Sequence, residues 1–281
     1  MAESGKRTSA MEDAMGAETR TTLFNKDMFL RIKTQEILRI LGPADGKTCL
    51  DIGLDNGVVS GILRKHGGSW QTVARKPAAM EHAAAALGTN VVAFDGARLP
   101  FEDKSFDVAI LSDFIEYLPS EHELIAECHR ILKPSGRLIL NVPHAKRWSF
   151  VNMLESMFGQ TAGKKAMARR GYTETDLFQL LKHGFDVHII RSYSRTPIQT
   201  IRYILEKKAA TRGNDSGALL KLYSSFYILY WLAFQFDAFF FFTKGYYLVA
   251  DAFRHPWRPR ETPILNDGRS ISEAVLSKIR K

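Results

Sequence analysis

Cys49-Leu-Asp-Ile-Gly-Leu-Asp-Asn-Gly57, followed by helical spacing from Val58, decides the fold. A β-type run that breaks into a glycine turn at a helix start brings backbone close to a ligand and offers unpaired N–H donors at the positive end of the helix dipole. Such a turn is a small-ligand cradle at the carboxyl end of a strand. Around it, β-type and helical runs alternate. Thr48–Ile52, Trp70–Val73, Val91–Phe94, Phe106–Leu111 and Arg137–Val142 read as strands, and Val58–Lys65, Ala78–Leu87 and Glu121–Leu132 as helices. That alternation predicts parallel strands joined by crossovers. Asp107–Leu111 and Leu138–Val142 are nearly continuous in apolar residues, as strands covered on both faces are.

Outward from this core, residues 1–19 are polar and small and read as a flexible arm, and helical spacing runs from Thr22 until Gly42-Pro43 ends it. After His144 come a basic stretch containing Met and Phe (Ala145–Arg170), a helix Thr173–Lys182 and a strand Asp186–Tyr193. Two helical segments, Pro197–Ala210 and Leu219–Thr243, are separated by the breaker-rich Gly213–Gly217, and Tyr246–Phe253 reads as a final strand. The domain is expected over 20–253, with insertions at 145–172 and 195–243 and a basic tail at 254–281.

The 281 residues, 45% hydrophobic and 25% charged, exclude global disorder and a small stapled scaffold. Cys49 and Cys128 lie far apart, so they form neither a disulfide framework nor the Cys pair of a structural zinc site, and a reducing cytosol is expected. Met1–Arg20 has no apolar run to serve as a secretory signal, so a cytoplasmic protein is expected. Charge is divided unevenly: 17 Lys and Arg face 19 Asp and Glu through His144, and 22 face 11 beyond it. Such asymmetry speaks of anionic partners and not of fold.

The order of later segments narrows the reading. Leu50-Asp-Ile-Gly53 with Gly57, Asp95-Gly-Ala-Arg-Leu-Pro-Phe-Glu-Asp-Lys-Ser-Phe-Asp107, Ser112-Asp113 with Glu116, and Arg130-Ile-Leu-Lys-Pro-Ser-Gly-Arg-Leu138 resemble the class I S-adenosylmethionine-dependent methyltransferases, in the group with an L-P-F-x-D-x-S-F-D segment. The resemblance spans roughly residues 30–144 and resumes weakly at Gly171-Tyr-Thr-Glu and Gly184-Phe-Asp-Val. It implies a Rossmann-like, doubly wound, seven-stranded sheet, mostly parallel with an antiparallel last strand, and a helical insertion before that strand. It also implies S-adenosyl-L-methionine as cofactor. Asp51 and Gly53 would lie against its amino-acid end, with Gly57 permitting helix approach, and Leu54, Asp55 and Ala74 would also border the cofactor. Asp95, Gly96 and Ala97 would take the adenine, and Ser112 and Asp113 would line the transfer pocket.

Two residues depart from that pattern. Asp55 stands where the family has Gly, and Ala74 stands where its second strand ends in an acid for the ribose hydroxyls. Losing that acceptor costs on the order of 1.5–3 kcal/mol. A degenerate, non-catalytic binding or adaptor module is therefore the alternative from another class. Arg75-Lys76 could instead read a 2′-phosphate as in NADP-binding domains, but the turn lacks G-x-G-x-x-G.

Methyl transfer needs alignment more than a strong catalyst. His144, just past the fifth strand in Asn141-Val-Pro-His144, is the candidate base, with Tyr117, Tyr172 and Glu174 as weaker candidates. Thr173 reads as a helix cap. His183 and His188 have a zinc-like spacing but no Cys pair, so no metal is expected.

Leu219–Thr243 is about half aromatic, with Asp237 the lone charge between Lys221 and Lys244. By length it could cross a bilayer core of about 30 Å. A single crossing would carry Tyr246–Phe253 away from the sheet it must join. A helical hairpin on one leaflet does not, and its basic flanks suit anionic headgroups. The expected partners are thus an amphipathic or lipid-linked small-molecule acceptor, methylated on oxygen or carbon, and an anionic membrane surface on the cytoplasmic side. The rival use of the aromatics is core or homodimer cover. Nucleic acid, as for an RNA methyltransferase, ranks third, because the aromatic block is too continuous for a stacking platform.

Overall fold

The computed structural model describes residues 19, 21–53, 57–74, 87, 91–94, 98–146, 149–211 and 216–257. Seven strands form one sheet: β1 Thr48–Ile52, β2 Ser69–Ala74, β3 Val91–Ala93, β4 Phe106–Ser112, β5 Leu132–Pro143, β6 Phe185–Tyr193 and β7 Tyr247–Arg254. Their order is β3-β2-β1-β4-β5-β7-β6. The pairs from β3 through β5 are parallel, and β7 runs antiparallel to both β5 and β6. This is the doubly wound, seven-stranded sheet that the sequence implies, with its antiparallel last strand.

Alternation along the strands divides the core. Val108, Ile110 and Ile139 point to one face, beneath α1 (Met28–Leu41), α2 (Val58–Arg64) and α6 (Thr196–Ala210). Ala109, Leu111, Leu138 and Leu140 point to the other, beneath α3 (Glu121–Ile131) and α5 (Glu174–Leu181). Between β5 and α5 lies α4 (Phe150–Phe158), followed by a single turn at Ala162–Lys165. The insertion between β6 and β7 consists of α6, α7 (Ser216–Ser225), α8 (Tyr227–Asp237) and a 3-10 turn.

Three expectations are corrected in detail. The leading helix is interrupted at Asp27, whose carboxylate caps α1 by accepting from the Phe29 and Leu30 amides at 3.0 and 3.1 Å. Leu219–Thr243 is not one helix: α7 and α8 meet at Phe226 with a bend of 58°. Just before that bend the Ser225 hydroxyl donates to the Lys221 carbonyl at 2.8 Å, a back-bond of the kind that bends helices. In β5, pairing jumps from Phe106–Leu132 to Val108–Arg137, so Lys133–Gly136 bulge out of the ladder before the strand resumes. The expected helix Ala78–Leu87 lies outside the described residues except for Leu87.

Asp237, the lone charge of the aromatic segment, is buried and accepts from the Arg195 amide at 2.8 Å, which ties the end of α8 to the start of α6. Among the described residues no single helix is long and apolar enough to cross a membrane; only the bent pair α7–α8 taken together has that length and composition.

Candidate active site

The site begins at the carboxyl ends of β1 and β2. Asp51 is fully buried beside Thr72, its register partner on β2, and Thr72 Oγ1 donates to Asp51 Oδ1 at 2.6 Å. Arg64 of α2 donates to Thr72 Oγ1 at 2.9 Å and lies 3.8 Å from the same carboxylate oxygen. Burial pushes the Asp51 carboxyl above its usual range, against the pull of Ser60, Thr72 and Arg64. Its second oxygen, Oδ2, is buried with no hydrogen-bond partner among the described residues. A buried acceptor left open in this way fits an ammonium or amide donor from a ligand.

Gly53 follows with φ +92°, and a Cβ there would come within 2.3 Å of the Ser112 carbonyl oxygen. Only glycine lets the chain leave β1 so close to the end of β4. Gly57, at φ +71°, starts α2. Ala74 ends β2, buried, with its carbonyl accepting from Phe94 N at 3.0 Å. Leu54, Asp55, Asp95, Gly96 and Ala97 lie outside the described residues.

At the end of β4, Ser112 is fully buried, and Asp113 turns the chain with φ +49°. Asn141 of β5 joins the two, its Nδ2 donating to Ser112 Oγ at 3.3 Å and to Asp113 Oδ1 at 3.1 Å. Its Oδ1 accepts from the Tyr193 hydroxyl at 2.5 Å. Lys33, buried on α1, completes the group by an ion pair with Asp113. Sequence reasoning missed Lys33, Asn141 and Tyr193 as site residues. Asn141 carried a signal, a lone amide in the apolar run Leu138–Val142; Lys33 and Tyr193 carried none, because each reaches the site only through tertiary packing.

Asp113 and His144 open on one cavity of about 680 Å³, with Glu116, Tyr117 and Lys146 also on its wall. One further side is α6, through Gln199, Arg202, Tyr203 and Glu206. Arg202 is set over the Phe29 ring, 3.7 Å from its centroid, and donates to the Tyr247 hydroxyl at 3.1 Å and to Glu206 at 2.7 Å. His144 Nδ1 lies 2.8 Å from the Gly245 carbonyl. A carbonyl only accepts, so Nδ1 carries the proton and Nε2 is left as an acceptor. Burial lowers the imidazole pKa from its ordinary value, and Lys244 and Lys146 push the same way against Gly245 and Glu174.

The weaker candidates part company. Tyr117 lines the cavity. Tyr172 is fully buried under the Arg169 guanidinium, 4.3 Å from its ring centroid, and burial pushes its phenol pKa up. Glu174 is paired with Lys244 at 3.0 Å on the surface. Thr173 caps α5 in a reciprocal box with Asp176. The imidazoles of His183 and His188 pack on different rings, those of Trp257 and Phe253.

Residues 50–140 match the family model described as a methyltransferase domain. Demethylmenaquinone methyltransferase of Mycobacterium tuberculosis (strain H37Rv) is 33% identical over 123 residues, 43% of this chain and 51% of that protein. A sterol 4-C-methyltransferase of Caenorhabditis elegans is 33% identical over 99 residues, 33% of this chain and 30% of that protein. The chain thus spans about half the length, or less, of these relatives. Among solved structures, geranyl diphosphate C-methyltransferase of Streptomyces coelicolor A3(2) superposes with a TM-score of 0.52 at 13% identity, over 80% of this chain and 76% of that one. The [4+2]-cyclase SpnF gives 0.54 at 16% identity, over 81% and 82%. Residues 50–140 therefore match a methyltransferase domain, and the chain has the fold of the S-adenosylmethionine-dependent methyltransferases among these structures.

Proposed function

We propose that the protein is an S-adenosylmethionine-dependent methyltransferase acting on an oxygen, or a carbon, of an amphipathic or lipid-linked small molecule at the cytoplasmic face of a membrane. The observation that carries the reading is that Asp113, at the end of β4, and His144, past the end of β5, open on the same cavity. In open α/β sheets this is the edge where ligands bind.

When bound, S-adenosylmethionine supplies a methyl group on a positively charged sulfur. Asp51 Oδ2 suits the ammonium of its amino-acid end, and the Gly53 turn admits close backbone approach. The Asn141 bridge ties Asp113, on the cavity wall, to the buried Ser112. His144 Nε2 accepts the acceptor's hydroxyl proton, with its ring held by Gly245. Holding the reactants in line does the rest.

Two lines support the acceptor class and place. The relatives named for demethylmenaquinone and a sterol act on molecules with large apolar parts. In the insertion, Ile228, Trp231, Phe236, Phe239, Phe241 and Phe242 face outward. Exposed apolar area on this scale marks an interaction surface. The buried, unpaired thiols of Cys49 and Cys128 suit a reducing compartment.

Isothermal titration with S-adenosylmethionine and S-adenosylhomocysteine tests the reading. Binding of both, followed by methyl transfer to a quinol or sterol acceptor in vesicles, is expected. Absence of binding at millimolar ligand overturns it and leaves the adaptor module.

A further inference from the structure

The helix α4, Phe150–Phe158, turns most of its large apolar side chains outward. Val151 is buried and lines the cavity with Ser149, Asn152, Glu155 and Ser156, while Phe150, Met153 and Met157, spaced as one helical face, point to solvent together with Phe158. Met157 is 67% exposed and Phe158 64%. A helix on the surface of a protein in water ordinarily keeps its outer side polar. The polar side of α4 is accounted for, because it roofs the cavity. Among the described residues nothing covers the apolar side.

Local charge says what it meets. Between Ala145 and Arg170 six Lys and Arg stand against one acid, Glu155, and that acid is already paired with Lys164 at 2.6 Å. An apolar helix face inside a basic segment complements an anionic lipid leaflet. The helix is also held in a way that suits a roof. Ser149 caps it by accepting from Asn152 N at 3.1 Å, and Tyr203 of α6 closes its other end by donating to the Gly159 carbonyl at 2.8 Å. The same α6 packs against α8, whose outward face is apolar too.

We infer that α4 is an interfacial roof: its Phe150, Met153, Met157 and Phe158 face seats in an anionic leaflet, and the acceptor enters the cavity beneath it from the lipid. The inference rests on the membrane reading above and deepens it in two respects. It adds a second membrane-contacting element, in a segment distant in sequence from the aromatic insertion. It also sets the acceptor's form, a polar head that occupies the cavity among Asn152, Glu155, Arg202 and Glu206 and an apolar tail that stays in the leaflet.

The test is a solvent-sensitive NBD label on Met157→Cys and, separately, on Phe241→Cys; the native Cys49 and Cys128 are fully buried, so the label reports the new thiol. Each protein is mixed with phosphatidylcholine vesicles, with and without phosphatidylglycerol, and S-adenosylhomocysteine binding is measured on both as a check of the fold. A blue shift and several-fold rise in emission at position 157 with anionic vesicles, weakened by salt, is the expected result. A shift at 241 with none at 157 overturns the roof and leaves the membrane reading standing. No shift at either position removes both. A shift at 157 that grows with protein concentration in the absence of vesicles makes this face a contact between copies of the chain and also overturns it.

Discussion

The Tyr230 hydroxyl donates to Asp27 Oδ1 at 3.1 Å across 203 residues of chain, and it accepts from Phe29 N at the same distance. The cap of α1 and the middle of α8 are therefore one buried unit. Burial pushes the Asp27 carboxyl above its usual range, with Arg202, Leu30 and Tyr230 pulling against it. Tyr230→Phe removes a donor from this group and should cost about 1–3 kcal/mol. The measurement is the urea midpoint, with the slope unchanged. Trp231→Ser, one residue on and exposed, should leave stability within about 0.5 kcal/mol.

Composition alone does not separate those two neighbours. A segment that is aromatic on every side carries no polar stripe to mark its outer face, so the buried set Tyr230, Ala233 and Asp237 emerges only once α8 is packed on α6 and α1. The sheet was legible for the opposite reason, since strand period, glycine turn and crossover helices all point to one topology. The site divides likewise. Asp51, Gly53, Ser112, Asp113 and His144 sit at or just past the carboxyl ends of strands, where sequence order fixes position. Lys33 and Tyr193 arrive from α1 and β6, and nothing local marks them.

His144 should govern the pH dependence. Its lowered pKa keeps the ring neutral to more acid pH than an ordinary imidazole, so the rate should be flat at neutral and alkaline pH. It should fall only as pH drops through the lowered value, because the imidazolium has no lone pair to accept a proton. His144→Gln should reduce kcat by about 10²–10⁴-fold and abolish that acidic limb, with S-adenosylhomocysteine affinity unchanged. A retained limb with full kcat would assign the ring to holding Gly245 alone.

Lys33 and Asp113 form an ion pair with a buried cation and a partly exposed carboxylate. Lys33→Met leaves Asp113 with Asn141 as its remaining side-chain donor, so stability should fall by about 1–3 kcal/mol and cofactor affinity with it. In the double variant Lys33→Met/Asp113→Asn no uncompensated charge remains. Part of the loss should return, with a coupling of about 0.5–3 kcal/mol. Simple additivity, read from thermal melts of the four proteins, would mean that the pair does not position Asp113.

Ala74 ends β2 two residues beyond Thr72, so its methyl group shares a face with the Thr72 hydroxyl that holds Asp51. A methyl offers no acceptor, and in the family this chain resembles an acid stands here for the ribose hydroxyls. Ala74→Asp should supply one. Hydrogen bonds to a charged acceptor contribute about 1.5–3 kcal/mol, which is about tenfold to a hundredfold in dissociation constant. Without ligand the same carboxylate is desolvated on the strand that already carries Asp51's partner, so the unliganded variant should unfold at lower urea than the parent. Saturating S-adenosylhomocysteine should then restore the midpoint by more in the variant than in the parent, because ligand bound to the folded state alone stabilises it by the logarithm of its concentration relative to the dissociation constant. Tighter binding in calorimetry together with that larger ligand-induced shift places the end of β2 at the ribose. A destabilised variant with unchanged affinity would place the ribose elsewhere.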